Sequence, residues 1–173
     1  MNERECKNLV EEMGSNIVQH AAEFWSLFSA IQTIGPKKIL EIGSASGGTL
    51  RFWQIICGQD GQSYGVDGGG KIRVDMSGYP EPILIKGVSQ VTETIDQVAE
   101  YAPFDFCFID ADHTYEGCKK DWENYSPMVK PGGHVGFHDY GHPPVKRVVD
   151  EITIGTKQTW NSWAGIVLIK LPG

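Results

Sequence analysis

The sequence is poor in the features that mark several large classes of protein. Its four cysteines include no C-x-x-C pair, and a chain of 173 residues needs no disulfide framework, so neither kind of cysteine motif is expected. No apolar run reaches the ~20 residues of a membrane-spanning helix. No run of lysine and arginine offsets the net charge of −7, which argues against nucleic acid as a partner.

No targeting signal is expected from the first residues of the sequence. Residues Met1 to Lys7 are largely charged or polar and contain no apolar segment like that of a secretory signal peptide. With the cysteines expected to be reduced thiols, this predicts a cytoplasmic protein without membrane contact. No internal repeat divides the chain, so one domain covering residues 1–173 is expected.

What the sequence does contain is an alternation of helical and strand patterns. The predicted helices are Glu3–Met13, Asn16–Ile34, Gly48–Cys57, Val91–Tyr101, Tyr115–Met128 and Pro144–Ile154. The predicted strands are Lys38–Ile42, Ser63–Val66, Ile83–Ile85, Phe104–Ile109, His134–Phe137 and Gly165–Ile169, with a glycine-rich loop over Gly68–Pro82 and a break over Lys130–Gly133. This order predicts an α/β fold, a doubly wound and mostly parallel sheet with helices on both faces.

Glycines and acidic residues follow the predicted strands. Gly43 comes after the first strand, Asp67 after the second, Asp110 after the fourth and His138–Asp139 after the fifth. Parallel strands all end at one edge of a sheet, and ligands of doubly wound sheets bind at that edge, where the strand order reverses. The sequence therefore predicts a ligand site built from these residues.

The glycine-rich bend after the first strand is compatible with two cofactors. The pattern G-x-A-x-x-G from Gly43 to Gly48, with Asp67 nineteen residues further on, approximates a dinucleotide fingerprint, although alanine stands where a glycine normally lets the backbone approach a pyrophosphate. The pattern E-x-G-x-x-x-G from Glu41 to Gly47 instead suits S-adenosylmethionine, which needs no phosphate cradle. The residues alone favour the methyl donor and leave the dinucleotide open.

Four stretches occur in an order that points to one family. They are Leu40–Thr49 (LEIGSASGGT), Tyr64–Asp67 (YGVD), Phe104–Gly117 (FDFCFIDADHTYEG) and Lys130–Tyr140 (KPGGHVGFHDY). With them the chain resembles the class I S-adenosylmethionine-dependent methyltransferases. It is most similar to the small branch that contains cephalosporin-hydroxylase-like and macrolide-sugar O-methyltransferases. The third stretch is the most specific.

The resemblance implies roles in binding S-adenosylmethionine on a Rossmann-like methyltransferase fold. Residues 36–173 would form the cofactor-binding core, and the helices within residues 1–35 would cover its cleft. Asp67 would contact the ribose, Ser89 and Gln90 would contact the adenine, and Asp110 would face the methyl donor near the reacting centre. The methionine end would be framed by four residues of the first bend, namely Glu41, Gly43, Ser44 and Gly47.

Transfer to a hydroxyl needs a base or a metal to take up or acidify its proton. The expected catalytic residues are Asp110, His113, His138 and Asp139, chosen from a set of candidates that also includes Asp112 and His142. The resemblance further implies a magnesium ion on Asp110 and Asp139. Here His138 or Tyr140 stands where an acidic or amide oxygen is usual.

We expect methyl transfer to a small-molecule acceptor, at a hydroxyl oxygen. The alternatives are a metal-dependent hydroxylase-like enzyme or a dinucleotide enzyme on the same fold, and a non-catalytic cofactor-binding domain. Since the chain is small and carries no cap domain, a second copy in a homodimer is expected to help select the acceptor. Trp160 and Trp163 are expected to pack in the core.

Overall fold

The chain folds as a seven-stranded sheet with helices against both faces, in a computed structural model that describes residues 1–17, 19–69 and 71–173. Val18 of the predicted second helix and Gly70 of the predicted loop lie outside the described residues. The helices are α1 (Glu3–Met13), α2 (Ala21–Ile34), α3 (Gly48–Cys57), α4 (Thr92–Ala99), α5 (Tyr115–Tyr125) and α6 (Pro143–Glu151). The strands are β1 (Lys38–Ile42), β2 (Gln62–Asp67), β3 (Ile83–Lys86), β4 (Phe104–Ile109), β5 (Val129–Phe137), β6 (Thr156–Trp160) and β7 (Ile166–Lys170).

The strand order confirms the predicted doubly wound sheet. It runs β3-β2-β1-β4-β5-β7-β6, and neighbouring strands from β3 to β5 are parallel. The last two strands form an antiparallel margin, because β7 pairs antiparallel with both β5 and β6. The order reverses between β1 and β4, which is where a ligand site is expected in such a sheet.

Backbone hydrogen bonds tie the ends of the parallel strands together at this edge. The amide of Gly43 donates to Val66 at 2.8 Å, and the amide of Asp110 donates to Ile42 at 2.8 Å. The amide of His138 likewise donates across the next strand pair, at 3.2 Å. The loops that follow β1, β4 and β5 therefore start side by side.

The core consists of one apolar layer on each face of the sheet. Helices α1, α2 and α3 cover one face with an aromatic cluster in which Phe24, Phe28 and Trp53 are fully buried. Helices α4, α5 and α6 cover the other face with smaller side chains such as Val98 and Val148. All four cysteines are free and buried. Among the described residues no helix is both long and apolar enough to cross a membrane.

The predicted second helix begins too early. Residues Gly14–Asn16 form a 3-10 turn, Ile17 is extended, and α2 starts only after His20, which precedes it in an extended conformation. The reason is close packing against α3. A Cβ atom built on Gly48 would lie 2.2 Å from the Asn16 carbonyl oxygen and 2.8 Å from the Ile17 Cβ, so these two residues pack directly on the N-terminus of α3. Asn16, Ile17 and Gln19 are called the strap below.

The predicted break at Lys130–Gly133 is also wrong, because β5 begins at Val129. Proline and glycine are accommodated there because the register with β4 shifts between Phe104 and Phe106, so the ladder is already irregular. The C-terminal residues satisfy part of this backbone, since the amide of Gly132 donates to the Pro172 carbonyl at 2.7 Å.

The C-terminal hairpin differs from the prediction in two ways. Strand β6 was not predicted, because its residues are mostly exposed and polar and lack apolar alternation. Trp160 is half-buried against the aromatic cluster, but Trp163 is 78 % exposed and not in the core. Its φ of 54° places it in a left-handed turn that presents the indole outwards, where it stacks on the His20 ring at 4.4 Å between centroids.

Candidate active site

Two adjoining cavities lie along the edge at which the parallel strands end. The glycine-loop cavity, of about 440 Å³, extends from the bend after β1 to Asp67 and Gln90. The histidine cavity, of about 310 Å³, is lined by His113 and Asp139 and by the strap before α2. Gly43, Ala45 and Asp110 line both. The two cavities therefore meet at the ends of β1 and β4.

Gly43 makes the bend after β1 possible. Its φ is 91°, a conformation that side chains disfavour, and a Cβ atom there would lie 2.1 Å from the Asp110 carbonyl oxygen. Ala45, two residues later, also has a positive φ of 42°. Its amide donates to Asp67 Oδ2 at 2.8 Å, so a side chain at the end of β2 holds the bend in place.

Asp67 lines the glycine-loop cavity where the sequence predicts a ribose-binding acid. Besides the bond from Ala45, its Oδ1 accepts from the Gly69 amide at 2.8 Å. The carboxylate thus braces the turn after β2 and faces the cavity as well. This turn contact and the predicted ligand contact are compatible in one residue.

The residues predicted around the methionine end do not all reach a cavity. Ser44 lines the histidine cavity, whereas Gly47, which precedes α3 with a φ of 83°, lines neither cavity. Glu41 also lines neither cavity, because it is 1 % exposed and accepts a hydrogen bond from Trp53 Nε1 at 3.2 Å beneath the bend. Burial, then the nearby charge of Asp110, raises the pKa of Glu41 well above its ordinary range.

The predicted adenine-contacting residues, Ser89 and Gln90, line the far end of the glycine-loop cavity. Both are held from α5, a contact that the sequence did not indicate. Gln90 Nε2 donates to Asp121 Oδ1 at 2.9 Å, and the Tyr125 hydroxyl donates to the Ser89 carbonyl at 2.7 Å. Asp121 and Tyr125 are both fully buried.

Two histidines and two aspartates form a compact cluster in the histidine cavity. His113 Nε2 lies 2.9 Å from Asp139 Oδ2 and 3.3 Å from Asp110 Oδ1. His138 Nδ1 lies 2.9 Å from the same Asp139 oxygen and 3.4 Å from the same Asp110 oxygen. The structure therefore brings together all four predicted catalytic residues.

The shared carboxylates determine how these groups ionise. Hydrogen bonds to Asp110 and then Asp139 raise the pKa of His113 to about 10. Burial lowers the pKa of His138, but bonds to the same carboxylates outweigh it and raise that pKa to about 10. The pKa of Asp139 is held well below its ordinary value by the bonds to His113 and His138. The shared carboxylates thus favour the protonated, imidazolium form of both rings.

Asp110, Asp139 and His113 also form a potential metal site, since one ligand atom from each lies within 4.8 Å of the others. Magnesium is commonly held by one or two carboxylates and keeps several waters, so the two aspartates suit it better than the imidazole nitrogen does. The same carboxylates that bind the imidazolium can therefore accept a divalent cation.

Two polar residues of the N-terminal segment complete the site and were not predicted. Gln19 Nε2 donates to Asp110 Oδ2 at 2.6 Å. Glu23, on α2, is 1 % exposed, and its Oε1 lies 3.7 Å from His138 Nε2. Its other oxygen accepts from the Gly165 amide at 3.0 Å. An acid on the apolar face of α2 is the one sequence signal that could have indicated Glu23.

The remaining candidates lie beside the cluster. Asp112 lines the glycine-loop cavity, but its Oδ1 accepts from the Thr114 amide at 2.8 Å in the turn before α5. His142 occupies the residue before α6, and its ring is 6.3 Å from the His113 ring. Neither belongs to the carboxylate–imidazole cluster.

Comparison with protein families and with curated proteins gives one family and one named relative. A family model described as a methyltransferase domain matches residues 40–140, more than half of the chain. Rhamnosyl O-methyltransferase from Mycobacterium leprae (strain TN) is 22 % identical over 155 residues, which cover 81 % of this chain and 66 % of the relative. The chain thus spans just under two thirds of the length of that relative.

Solved structures show the same fold. An O-methyltransferase from Bacillus cereus in complex with SAH superposes with a TM-score of 0.73 at 15 % identity, covering 98 % of this chain and 88 % of that one. The MycE methyltransferase of the mycinamycin pathway, in complex with Mg, SAH and mycinamycin VI, gives 0.73 at 20 % identity, covering 96 % of this chain and 54 % of that one. At these identities the likeness establishes the Rossmann-like methyltransferase fold.

Proposed function

The chain belongs to the methyltransferase domain family, and on that premise we propose that it transfers a methyl group from S-adenosylmethionine to a hydroxyl oxygen of a small molecule. The family match disfavours the dinucleotide and hydroxylase-like alternatives. The relative from Mycobacterium leprae and the two solved structures all bear names of methyltransferases, which supports this chemistry.

One observation carries the proposal, namely that the two cavities meet at Asp110. The glycine-loop cavity offers the Asp67 carboxylate to two ribose hydroxyls, and it offers the polar groups of Ser89 and Gln90 to the adenine ring. The histidine cavity offers a cluster that can handle a proton. A nucleoside in the first cavity thus directs its sulfonium towards the second, through the opening that Asp110 lines.

The cofactor residues follow from this placement. Gly43, Ser44 and Gly47 border the methionine end, where the bend leaves room for the ligand backbone. Glu41 supports the bend indirectly, because its buried hydrogen bond with Trp53 joins β1 to α3. Asp110 lies at the junction of the cavities, with one carboxylate oxygen bonded to Gln19.

The reaction needs mainly alignment, because the sulfonium is already a good leaving group. The acceptor oxygen attacks the methyl carbon, the carbon–sulfur bond breaks, and the bonding electron pair stays on sulfur as a neutral thioether. The proton of the acceptor hydroxyl must leave the oxygen. His113 in its neutral form is the proposed base, because its imidazole lies in the histidine cavity and is oriented by Asp110 and Asp139. Since the two carboxylates favour its protonated form, this role is expected above neutral pH.

His138 differs from His113 in burial, being 7 % exposed with Nε2 turned towards Glu23. We propose that His138 holds the carboxylates of Asp110 and Asp139 in position and does not remove the proton of the acceptor. Asp110 and Asp139 are the proposed ligands of a magnesium ion, which when bound would acidify the acceptor hydroxyl as a Lewis acid.

Isothermal titration calorimetry tests the cofactor directly. The chain should bind S-adenosylmethionine and SAH, whereas NAD should give no heat of binding. Methyl-labelled S-adenosylmethionine offered with a panel of sugars, glycosides and phenols then tests turnover, with and without magnesium. Binding of NAD in preference to SAH would overturn the proposal. Binding of SAH without turnover on any acceptor would favour a non-catalytic cofactor-binding domain.

Two further parts of the proposal concern the surroundings of the enzyme. Its four thiols are free and buried, which supports work in a reducing compartment such as the cytoplasm. Exposed Trp163, beside the histidine cavity, supports completion of the acceptor site by a second copy of the chain. Sedimentation equilibrium of the wild type and of Trp163→Ala checks this, since a dimer weakened by the change is expected.

A further inference from the structure

The contact between Gln90 and Asp121 has a chemical consequence for the first cavity. Gln90 Nε2 lies 2.9 Å from Asp121 Oδ1. An ionised carboxylate only accepts hydrogen bonds, so it selects the NH₂ end of an amide and turns the carbonyl end away. Asp121 therefore fixes which end of the Gln90 amide is committed to α5 and which end is free.

The free end belongs to the cavity. Gln90 is half-buried and lines the glycine-loop cavity, whereas Asp121 is fully buried behind it. Among the described residues none donates a hydrogen bond to the Gln90 carbonyl oxygen. A half-buried acceptor with no protein donor, on the wall of a ligand cavity, is suited to a donor supplied by the ligand.

The neighbouring backbone is held in the same way. Tyr125, one turn after Asp121 on α5, donates its hydroxyl to the Ser89 carbonyl at 2.7 Å and is itself fully buried. Two buried side chains of one helix thus fix both residues of the Ser89–Gln90 segment. With the backbone of Ser89 and the side chain of Gln90 both held, the Gln90 amide cannot turn its NH₂ end towards a ligand in the cavity.

We propose that Asp121 is a positioning residue for nucleobase recognition, which orients the Gln90 amide so that its carbonyl oxygen accepts from the exocyclic amino group of adenine. This rests on the proposed binding of S-adenosylmethionine. A 6-oxo purine presents an acceptor at the same position and would leave two acceptors facing each other. The 6-oxo purine would therefore bind more weakly, because the Gln90 carbonyl oxygen would be left without a hydrogen-bond donor.

The test compares SAH with its 6-oxo analogue, S-inosylhomocysteine, by calorimetry at pH 8. The wild type should bind SAH at least tenfold more tightly. Asp121→Asn should reduce that preference to within about threefold of unity, because an asparagine can present either a donor or an acceptor and Gln90 can then turn over. Glu123→Gln, an exposed change of the same charge on the same helix, should keep the wild-type preference.

A double-variant cycle separates positioning from a general structural effect. Gln90→Leu should also abolish the preference, and adding Asp121→Asn to it should change the preference no further, since Asp121 acts through Gln90. A preference that persists in folded Asp121→Asn, or in Gln90→Leu, overturns the inference. If Asp121→Asn does not fold, Asp121→Ser, whose hydroxyl also donates or accepts, gives the same decision. Failure of the wild type to bind SAH would instead overturn the proposed function.

Discussion

At the scale of single residues, the Asp67 carboxylate braces the turn after β2 and also lines the glycine-loop cavity, where we propose that it binds the ribose. Asp67→Ala should weaken SAH binding about ten- to hundredfold, because it removes roughly 1.5–3 kcal/mol of charge-assisted hydrogen bonds. Calorimetry measures the change. Asp75→Ala is the matched control, since Asp75 is an exposed turn aspartate whose carboxylate accepts from Ser77 and lies outside both cavities. Equal affinities of Asp67→Ala and wild type would remove Asp67 from the binding site.

Asp139 has a different predicted effect, because it lies in the histidine cavity alone. Asp139→Asn should lower the turnover number at least a hundredfold while SAH affinity stays within about threefold, since the orientation of His113 and His138 is lost. Asparagine tolerates the left-handed φ of 56°, so the loop is expected to keep its backbone. A labelled-methyl assay and calorimetry on the same preparation measure both quantities. Asp150→Asn, on the exposed part of α6, should leave both unchanged.

At the scale of elements, the bend between β1 and α3 depends on the missing side chain of Gly43. Gly43→Ala should lower the free energy of unfolding by about 2 kcal/mol more than Gly58→Ala does. Both glycines have positive φ, 91° and 71°, so both changes strain the backbone. Only Gly43 has backbone atoms within contact distance, whereas nothing lies within 4 Å of a Cβ on Gly58. Urea denaturation of the two variants measures the difference, and equal losses would show that the bend adapts.

Helix α5 carries a buried acid whose ionisation depends on folding. Burial, partly offset by bonds to Ser89 and Gln90, raises the pKa of Asp121 from its ordinary value of 3.8 to about 6. Because the folded pKa is above the unfolded one, protonation favours the folded state. The stabilising contribution is complete below pH 3.8 and is lost as the pH rises through 6.

Replacement of this acid should therefore matter most at high pH. The stability gained by Asp121→Asn relative to wild type should be larger at pH 8 than at pH 4 by roughly 2–3 kcal/mol. Urea denaturation at the two pH values measures it, with Glu123→Gln as the control on the exposed side of α5. A pH-independent difference would mean that Asp121 ionises alike in the folded and unfolded chains.

The elements show where sequence patterns suffice and where they do not. Strands β1 and β4 and helices α1 and α3 have the predicted bounds, because each combines an apolar pattern with a clear start or stop. The polar strand β6 could not be found, since within the described residues it pairs with β7 alone, at the margin of the sheet. Likewise Gln19 reaches Asp110 across 91 positions of sequence, a pairing that packing of the strap decides and no local pattern records.

At the scale of the whole molecule, occupation of the two cavities should stabilise the fold. SAH at a concentration of 100 times its Kd should add about 2.7 kcal/mol to the free energy of unfolding and raise Tm by about 5–11 °C. NAD at the same concentration should leave Tm unchanged. Differential scanning calorimetry makes the comparison, and a larger rise with NAD would contradict the assignment of the cofactor.

The predicted fold and the grouping of site residues both follow from the parallel strands. Because these strands end together, residues far apart in the chain, such as Asp67 and His138, had to meet at one edge. Sequence could therefore predict which residues gather, but not how they share bonds. The pairing of two histidines with the same two carboxylates depends on side-chain directions that only the assembled loops determine.

The outward turn of Trp163 gives the molecule a natural optical probe. Of the five tryptophans, this one is 78 % exposed, while the other four are half-buried or buried in the part of the chain that the structure describes. Acrylamide should thus quench its fluorescence well before that of Trp53. Because the next residue, Ala164, lines the histidine cavity, a compound that enters that cavity should shield or perturb the indole. Unlabelled compounds could then be screened by the emission of the protein itself.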